Sequence, residues 1–225
     1  MNNIGIGIMC FGDDYYFGGT KEKVEHIKEY GLSCYILTDR PDLFDVDTIP
    51  YNRSFHSYHD KVLLPKHILT KHDICVLIDA DIYIKDYSFL DTLKTYNFKN
   101  GITYINTLLN HSYNKELVGD LKLLEPYKTH IKSICSESDD FETIWEYFLV
   151  FNKKSFNFRG FFDEYEKLQI VKEYSDINIP KKVKGSNEGV SISVSSFLSK
   201  TEIQKDVTLF DMINNKLTSF NIRRS

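Results

Sequence analysis

"ICVLIDADIYIKD", residues 74–86, sets five apolar positions against Asp79 and Asp81 and then returns to apolar residues. A buried carboxylate is costly unless it is paired or neutralised. A strand that ends on two of them therefore implies a metal ion, a surface turn or an acid nucleophile. The spacing alone says little. Aspartate occurs 19 times in 225 residues, which gives about 1.6 Asp-x-Asp pairs by chance, and a second pair, "DVD" at 45–47, stands in a polar turn. Context separates the two. "ICVLI" reads as a central strand, so Asp79 and Asp81 lie at its carboxyl end, where open α/β sheets bind ligands. Continued through residue 84, the strand's period of two places both carboxylates on one face and Ala80 on the other. Two carboxylates that close raise each other's pKa unless a cation neutralises them. Magnesium or manganese does so with one or two carboxylates and completes its shell with water and phosphate oxygens. A nucleotide diphosphate suits that arrangement, because the metal bridges its phosphates and stabilises the charge that develops as it leaves.

The elements around this segment alternate. "IGIGIMCFG" (4–12) is a buried strand ending on glycine, and "TKEKVEHIKEYG" (20–31) a helix with Thr20 as N-cap and Gly31 as stop. "LSCYILTDRPD" (32–42) is a second strand that breaks at Asp39 and Pro41, and 58–73 a helical stripe interrupted or bent at Pro65. Residues 74–84 form a third strand and 101–109 a fourth. Strands apolar on both faces, alternating with helices, indicate an α/β domain with a largely parallel sheet. Beyond residue 110 the pattern loosens: a helix over 114–134, a strand over 147–153, a helix over 160–174 and a basic, glycine-punctuated loop over 179–189. "VSISVSSFLSK" (190–200) alternates like a strand but precedes a helix-like tail, and both assignments stay open. No repeat or linker divides the chain, so it reads as one domain with a 1–110 half and a less regular 111–225 half.

A net charge of −4 gives no support for nucleic-acid binding through a general field. No apolar run approaches the roughly 18 residues of a membrane span. The first residues, "MNNIGIGIMCFGDD", lack the basic start of a signal peptide, which suggests a cytoplasmic protein. Cys10, Cys34, Cys75 and Cys135 show no C-x-x-C spacing and read as buried reduced thiols.

"KVLLPKHILTKHDICVLIDADIYIKD" (61–86) resembles the segment leading into the DXD motif of GT-A-fold glycosyltransferases, especially the glycogenin and lipopolysaccharide-galactosyltransferase type, where a basic residue and "LLP" lead into a strand ending "DAD". "YILTDRPD" (35–42) is similar to the second strand of that fold. The resemblance covers about residues 4–110, with the elements in the same order, and this chain looks most like the small viral and bacterial enzymes of the class. It implies a GT-A-like domain with a Rossmann-like, mainly parallel central sheet flanked by helices and a smaller acceptor-side half. It implies a transferase that takes a sugar from a UDP-sugar, or alternatively a GDP-sugar, to a hydroxyl of a glycan or protein-linked acceptor, with Mn2+ or Mg2+. A viral member would work in the host cytoplasm.

Carried onto this sequence, the resemblance assigns Asp79, Ala80 and Asp81 to the metal and diphosphate. Those families add a third metal ligand near the C-terminus, often histidine. The last histidine here is His130, so Asp211 or Asp206 is the available substitute. Phe11, Gly12 and Asp13 stand where the fold places the base; the alternative is a plain turn. Asp39 is a ribose or base contact, or the cap of the turn before Pro41. Lys61 reaches the base or phosphate, or is an exposed helix lysine. Lys184, with Lys181 and Lys182, lies on a loop that suits a departing diphosphate, and equally a solvated charged loop. An inverting enzyme needs a carboxylate base, and Asp139, Asp140, Glu142, Glu146 and Glu188 are the candidates. Trp145 and Tyr147 are sugar-stacking or core residues. His56, His59, His67 and His72 cluster in sequence, but no cysteine motif supports zinc.

Two rivals belong to other classes. A haloacid-dehalogenase-type phosphohydrolase would use Asp79 as nucleophile and Asp81 as acid/base, but its motif sits on the first strand and carries Thr or Val where Tyr83 stands. A non-catalytic nucleotide-sugar-binding module would keep the fold without turnover.

Overall fold

The computed structural model describes residues 1–12, 14–51, 58–105, 144, 147–176 and 188–219. The sequence-predicted helix over 114–134, Asp13, the candidate bases Asp139, Asp140, Glu142 and Glu146, Trp145, and Lys181, Lys182 and Lys184 lie outside the described residues.

The order of elements is β1 (Ile4–Cys10), α1 (Asp14–Glu29), β2 (Ser33–Thr38), β3 (Asp47–Pro50), α2 (Leu63–Ile68), β4 (Ile74–Ile78), β5 (Ile82–Ile84), α3 (Phe89–Thr95), β6 (Ile102–Tyr104), β7 (Phe148–Asn152), α4 (Phe158–Asp176), α5 (Glu188–Leu198), β8 (Ile203–Lys205), α6 (Val207–Ile213) and β9 (Leu217–Ser219). Seven strands make one sheet in the order β3-β2-β1-β4-β7-β6-β8. Strands β1 to β4 run parallel, β7 is antiparallel to both neighbours, and β6 and β8 are parallel. The mainly parallel sheet flanked by helices is the α/β architecture that the alternation of elements predicts.

Helices cover both faces. On β1, Ile4, Ile6, Ile8 and Cys10 point into one core with Phe17, Val24 and Ile27 of α1, Leu90 and Leu93 of α3, and Leu209 and Ile213 of α6. The opposite core joins Met9, Leu37 and Leu77 to Leu64 and Ile68 of α2 and Phe161, Phe162 and Tyr165 of α4. The glycines of "IGIGI" explain how closely α2 approaches. A Cβ on Gly7 would stand 2.8 Å from Leu77 Cδ2, 2.9 Å from Ile68 Cδ1 and 3.2 Å from Leu64 Cβ. Bare backbone lets α2, which directly follows the segment carrying Lys61, lie on β1. Cys10, Cys34 and Cys75 are free and buried, as expected for reduced thiols.

Three local readings are corrected, and one left open is decided. The strand expected over 74–84 is two strands in different sheets. β4 ends at Ile78, a turn closed by Ile82 N–H donating to Asp79 O (3.2 Å) follows, and β5 pairs antiparallel with β9. Helix α1 begins at Asp14, not at Thr20, which is a fully buried mid-helix residue. Gly18 and Gly19 masked its first turns. Residues 58–73 form a 3-10 turn (Tyr58–Val62) and then α2. Pro65 sits in the first helical turn, where its missing N–H had no partner to lose. Finally, 190–200 belongs largely to helix α5. Its buried serines mimic strand alternation, but Ser193 and Ser196 hydroxyls donate to Gly189 O (2.8 Å) and Ile192 O (2.7 Å), four residues back.

Candidate functional site

The parallel register brings the carboxyl ends of β1, β2, β3 and β4 to one edge of the sheet, with Cys10 beside Thr38 and Thr38 beside Pro50. Phe11 and Gly12, Asp39, Tyr51 and Asp79 each follow one of these strands directly, so segments far apart in sequence meet at this edge.

Asp79 and Asp81 occupy the turn between β4 and β5. The turn begins where Asp79 N–H donates to Tyr147 O of the antiparallel neighbour (3.0 Å). It is a turn and not a continuing strand that holds the two carboxylates, so the one-face alternation expected from the sequence does not apply. Asp79 is ion-paired with Lys61, whose side chain is 6% exposed against 24% for Asp79. Lys61 is therefore not an exposed helix lysine. Burial, and after it the charge of Asp79, raises the Asp81 carboxyl above its ordinary range, while Lys61 and Lys23 pull it back.

Lys23 is the residue that sequence reading missed. It is 2% exposed, and its Nζ donates to Ala80 O (2.9 Å) and Gly19 O (3.3 Å). Burial lowers its pKa to about 8, and the foremost opposing influence is Asp81. The available signal was its place in a stripe of buried positions, Thr20, Lys23, Val24 and Ile27, at helical spacing.

The neighbouring loops are fixed by groups the sequence did not single out. Arg40 joins Asp14 Oδ1 (2.6 Å), donates to Gly12 O (3.2 Å) and lies 4.5 Å above the Phe17 ring. This fastens the loop in which Gly12 has φ +105°, a conformation favouring glycine. Phe11 is stacked on Tyr51, with centroids 5.8 Å apart and planes at 10°. Tyr51 in turn donates its hydroxyl to the buried Asp60, beside Lys61, and its N–H to Thr38 O (2.8 Å). Asp39 is exposed at the end of β2. Glu188 begins α5, on a different part of the chain.

The donor set of the turn, two carboxylates of which one carries a pKa raised by burial and by the other, fits a hard divalent cation that keeps positions for other oxygen ligands. Among the described residues no third His, Cys, Asp or Glu completes a metal-binding group with them. Asp211 is exposed on α6 and does not join the pair. Asp206 is engaged elsewhere, accepting from Tyr96 OH (2.7 Å) and from Leu209 N–H (2.9 Å) as the cap of α6. The β5–β9 register sets Ser219 opposite Ile82, one residue from Asp81. His72 is satisfied structurally, its Nε2 bonded with Tyr35 OH (2.8 Å) and its Nδ1 with Asn3 Oδ1 (2.7 Å).

No protein-family model matches the sequence, and no curated protein matches it. Among solved structures, the chain is similar to an active-site mutant of LgtC at 14% identity, covering 89% of this chain and 72% of the other, with a TM-score of 0.50. It is also similar to the galactosyltransferase LgtC in complex with donor and acceptor sugar analogs (13% identity, 89% and 72% covered, TM-score 0.49). A third is a glycosyltransferase involved in the glycosylation of the major capsid of PBCV-1 (10% identity, 97% and 92% covered, TM-score 0.49). The fold is that of the GT-A glycosyltransferases, at a distant level of similarity.

Proposed function

We propose that this chain is a metal-dependent glycosyltransferase that moves a sugar from a nucleotide diphosphate sugar, UDP-sugar in preference to GDP-sugar, to a hydroxyl of a glycan or protein-linked acceptor. The observation that carries the reading is the Asp79–Ala80–Asp81 turn at the carboxyl edge of a GT-A-type sheet, with Lys61 ion-paired to Asp79. Asp79 and Asp81 would hold Mn2+ or Mg2+. When bound, the cation supplies positive charge against the departing diphosphate. Phe11, Gly12 and Asp39 surround the place for the nucleoside. Lys61, released from Asp79 as the cation binds, would meet a phosphate oxygen, and Lys184 is a further candidate for the diphosphate. One of Asp139, Asp140, Glu146 and Glu188 would serve as base if the reaction inverts configuration. No helix among the described residues is long and apolar enough to cross a membrane.

Calorimetry with UDP-, GDP- and TDP-sugars, with and without Mn2+, tests the reading on the wild type and on Asp81→Asn. The expected result is metal-dependent binding of one nucleotide sugar, weakened roughly 100-fold in the variant. Phosphatase turnover without nucleotide-sugar binding would instead establish the dehalogenase-type chemistry. Metal-dependent binding without transfer or slow hydrolysis of the sugar would establish a binding module.

A further inference from the structure

We propose, resting on the transferase reading above, that Lys23 and Lys61 are built-in counter-ions of the aspartate turn, and that they make cation binding conditional on the nucleotide diphosphate. Two buried lysines meet the turn. Lys61, 6% exposed, is paired with Asp79. Lys23, 2% exposed, reaches from α1 to the carbonyl of Ala80, between the two aspartates. Lys23 is held by Gly19 O in its own helix as well, and α2 is seated on bare β1 backbone just after Lys61.

The charges of these four groups sum to zero. Asp60, which accepts the Tyr51 hydroxyl, and Glu22, on the exposed face of α1, keep their charges outside this set, so the neutrality is that of the turn and its two lysines. A divalent cation arriving alone is attracted less than two unpaired carboxylates would attract it, has to displace Lys61 from Asp79, and must settle near the Lys23 ammonium. A diphosphate changes the balance. Its negative charges attract the cation, and its oxygens give Lys61 a new partner as the cation takes Asp79. Cation and diphosphate therefore bind as a pair, each raising the other's affinity by the same factor, as linkage requires. Lys23 touches neither. It is a positioning residue that acts through the Ala80 carbonyl and through its charge beside Asp81.

The test measures binding of Mn2+ alone, by electron paramagnetic resonance of free Mn2+, and of Mn2+ with UDP, on wild type, Lys23→Met and Lys61→Met. In the wild type, UDP should tighten Mn2+ binding at least tenfold. Each variant, having lost one internal cation, should bind Mn2+ alone about tenfold more tightly than the wild type, with a smaller effect of UDP. Damage to the turn would weaken Mn2+ binding, so a gain is an outcome that a merely structural role cannot give. Lys61→Met lies on a separate element and carries the test if Lys23→Met does not fold. Unchanged or weaker Mn2+ binding in the folded variants overturns the proposal, as does wild-type Mn2+ binding that is tight and indifferent to UDP; both leave the transferase reading standing. A wild type that binds neither Mn2+ nor UDP with Mn2+ removes that reading, and the proposal with it.

Discussion

His72 is a titratable side chain fixed at both ring nitrogens, and its burial lowers its pKa below the ordinary 6.5, with Lys71 acting in the same direction. The sign of the consequence follows. Above about pH 7.5, roughly a unit over the unfolded value, the imidazole is neutral in both the folded and unfolded chain, and its contribution to stability is complete. As the pH falls, the unfolded chain takes up the proton first, and stability is lost progressively through the lower, folded pKa. Urea midpoints should therefore fall between about pH 7.5 and about pH 5.5, and His72→Gln should remove part of that fall. An equal slope in the variant would show that carboxylates elsewhere carry all of it. Residue-scale roles were the least legible in the sequence. Lys23 has the composition of a surface residue, and nothing in its local spelling says that a carbonyl and a carboxylate wait inside the fold. Arg40, Tyr51 and Asp60 are alike in this: their partners are 26, 40 and 9 residues away, so no spacing rule links them.

At the scale of elements, the strongest periodic segments could be read from the sequence and their interruptions could not. β1, β2, β4 and β7 follow from apolar runs, because a strand buried on both faces has to be apolar on both. The break after Ile78 is different, since "ICVLIDADIYI" is nearly continuous in hydrophobicity. What ends β4 is the loss of a place in the central sheet, and what holds β5 is a partner, β9, that lies over 130 residues later. The glycines of β1 make a more specific prediction. Gly7→Ala sets a methyl group 3.2 Å from Leu64 Cβ, an atom with no rotamer by which to retreat. The strain should cost about 1–3 kcal/mol of folding stability in urea denaturation. Because α2 follows the Lys61 segment, the same variant should also weaken nucleotide-sugar binding. Unaltered stability would mean that α2 shifts freely on β1.

Across the whole molecule, the α/β class and the edge carrying the aspartates were legible in the sequence, because both depend on the order of elements rather than on any one contact. The way the chain's far portion supports that edge was not. After the seven-stranded sheet is complete, β9 returns to lie beside β5, with Lys85 N–H donating to Lys216 O (2.7 Å). Lys216 Nζ donates to Ser88 Oγ (2.6 Å) and lies 3.5 Å from Asp86, so the approach to β9 is tied down on the same side. Leu217, 1% exposed, anchors the strand in the core that also holds Ile82 and Ile84. The turn carrying Asp79 and Asp81 is thus held from two directions, by Tyr147 before β7 and by β9 behind β5. Leu217→Ala should cost about 2–4 kcal/mol of stability, the usual range for emptying a fully buried leucine site. It should also weaken Mn2+-dependent nucleotide-sugar binding at a temperature where the variant remains folded, because a loosened β5 no longer fixes Asp81. Leu168→Ala gives the comparison: it empties a site of equal burial, 1% exposed, on α4, away from the aspartate turn's own elements. Loss of binding in Leu217→Ala but not in Leu168→Ala would place the effect in β9. Equal losses in both would reduce it to general destabilisation.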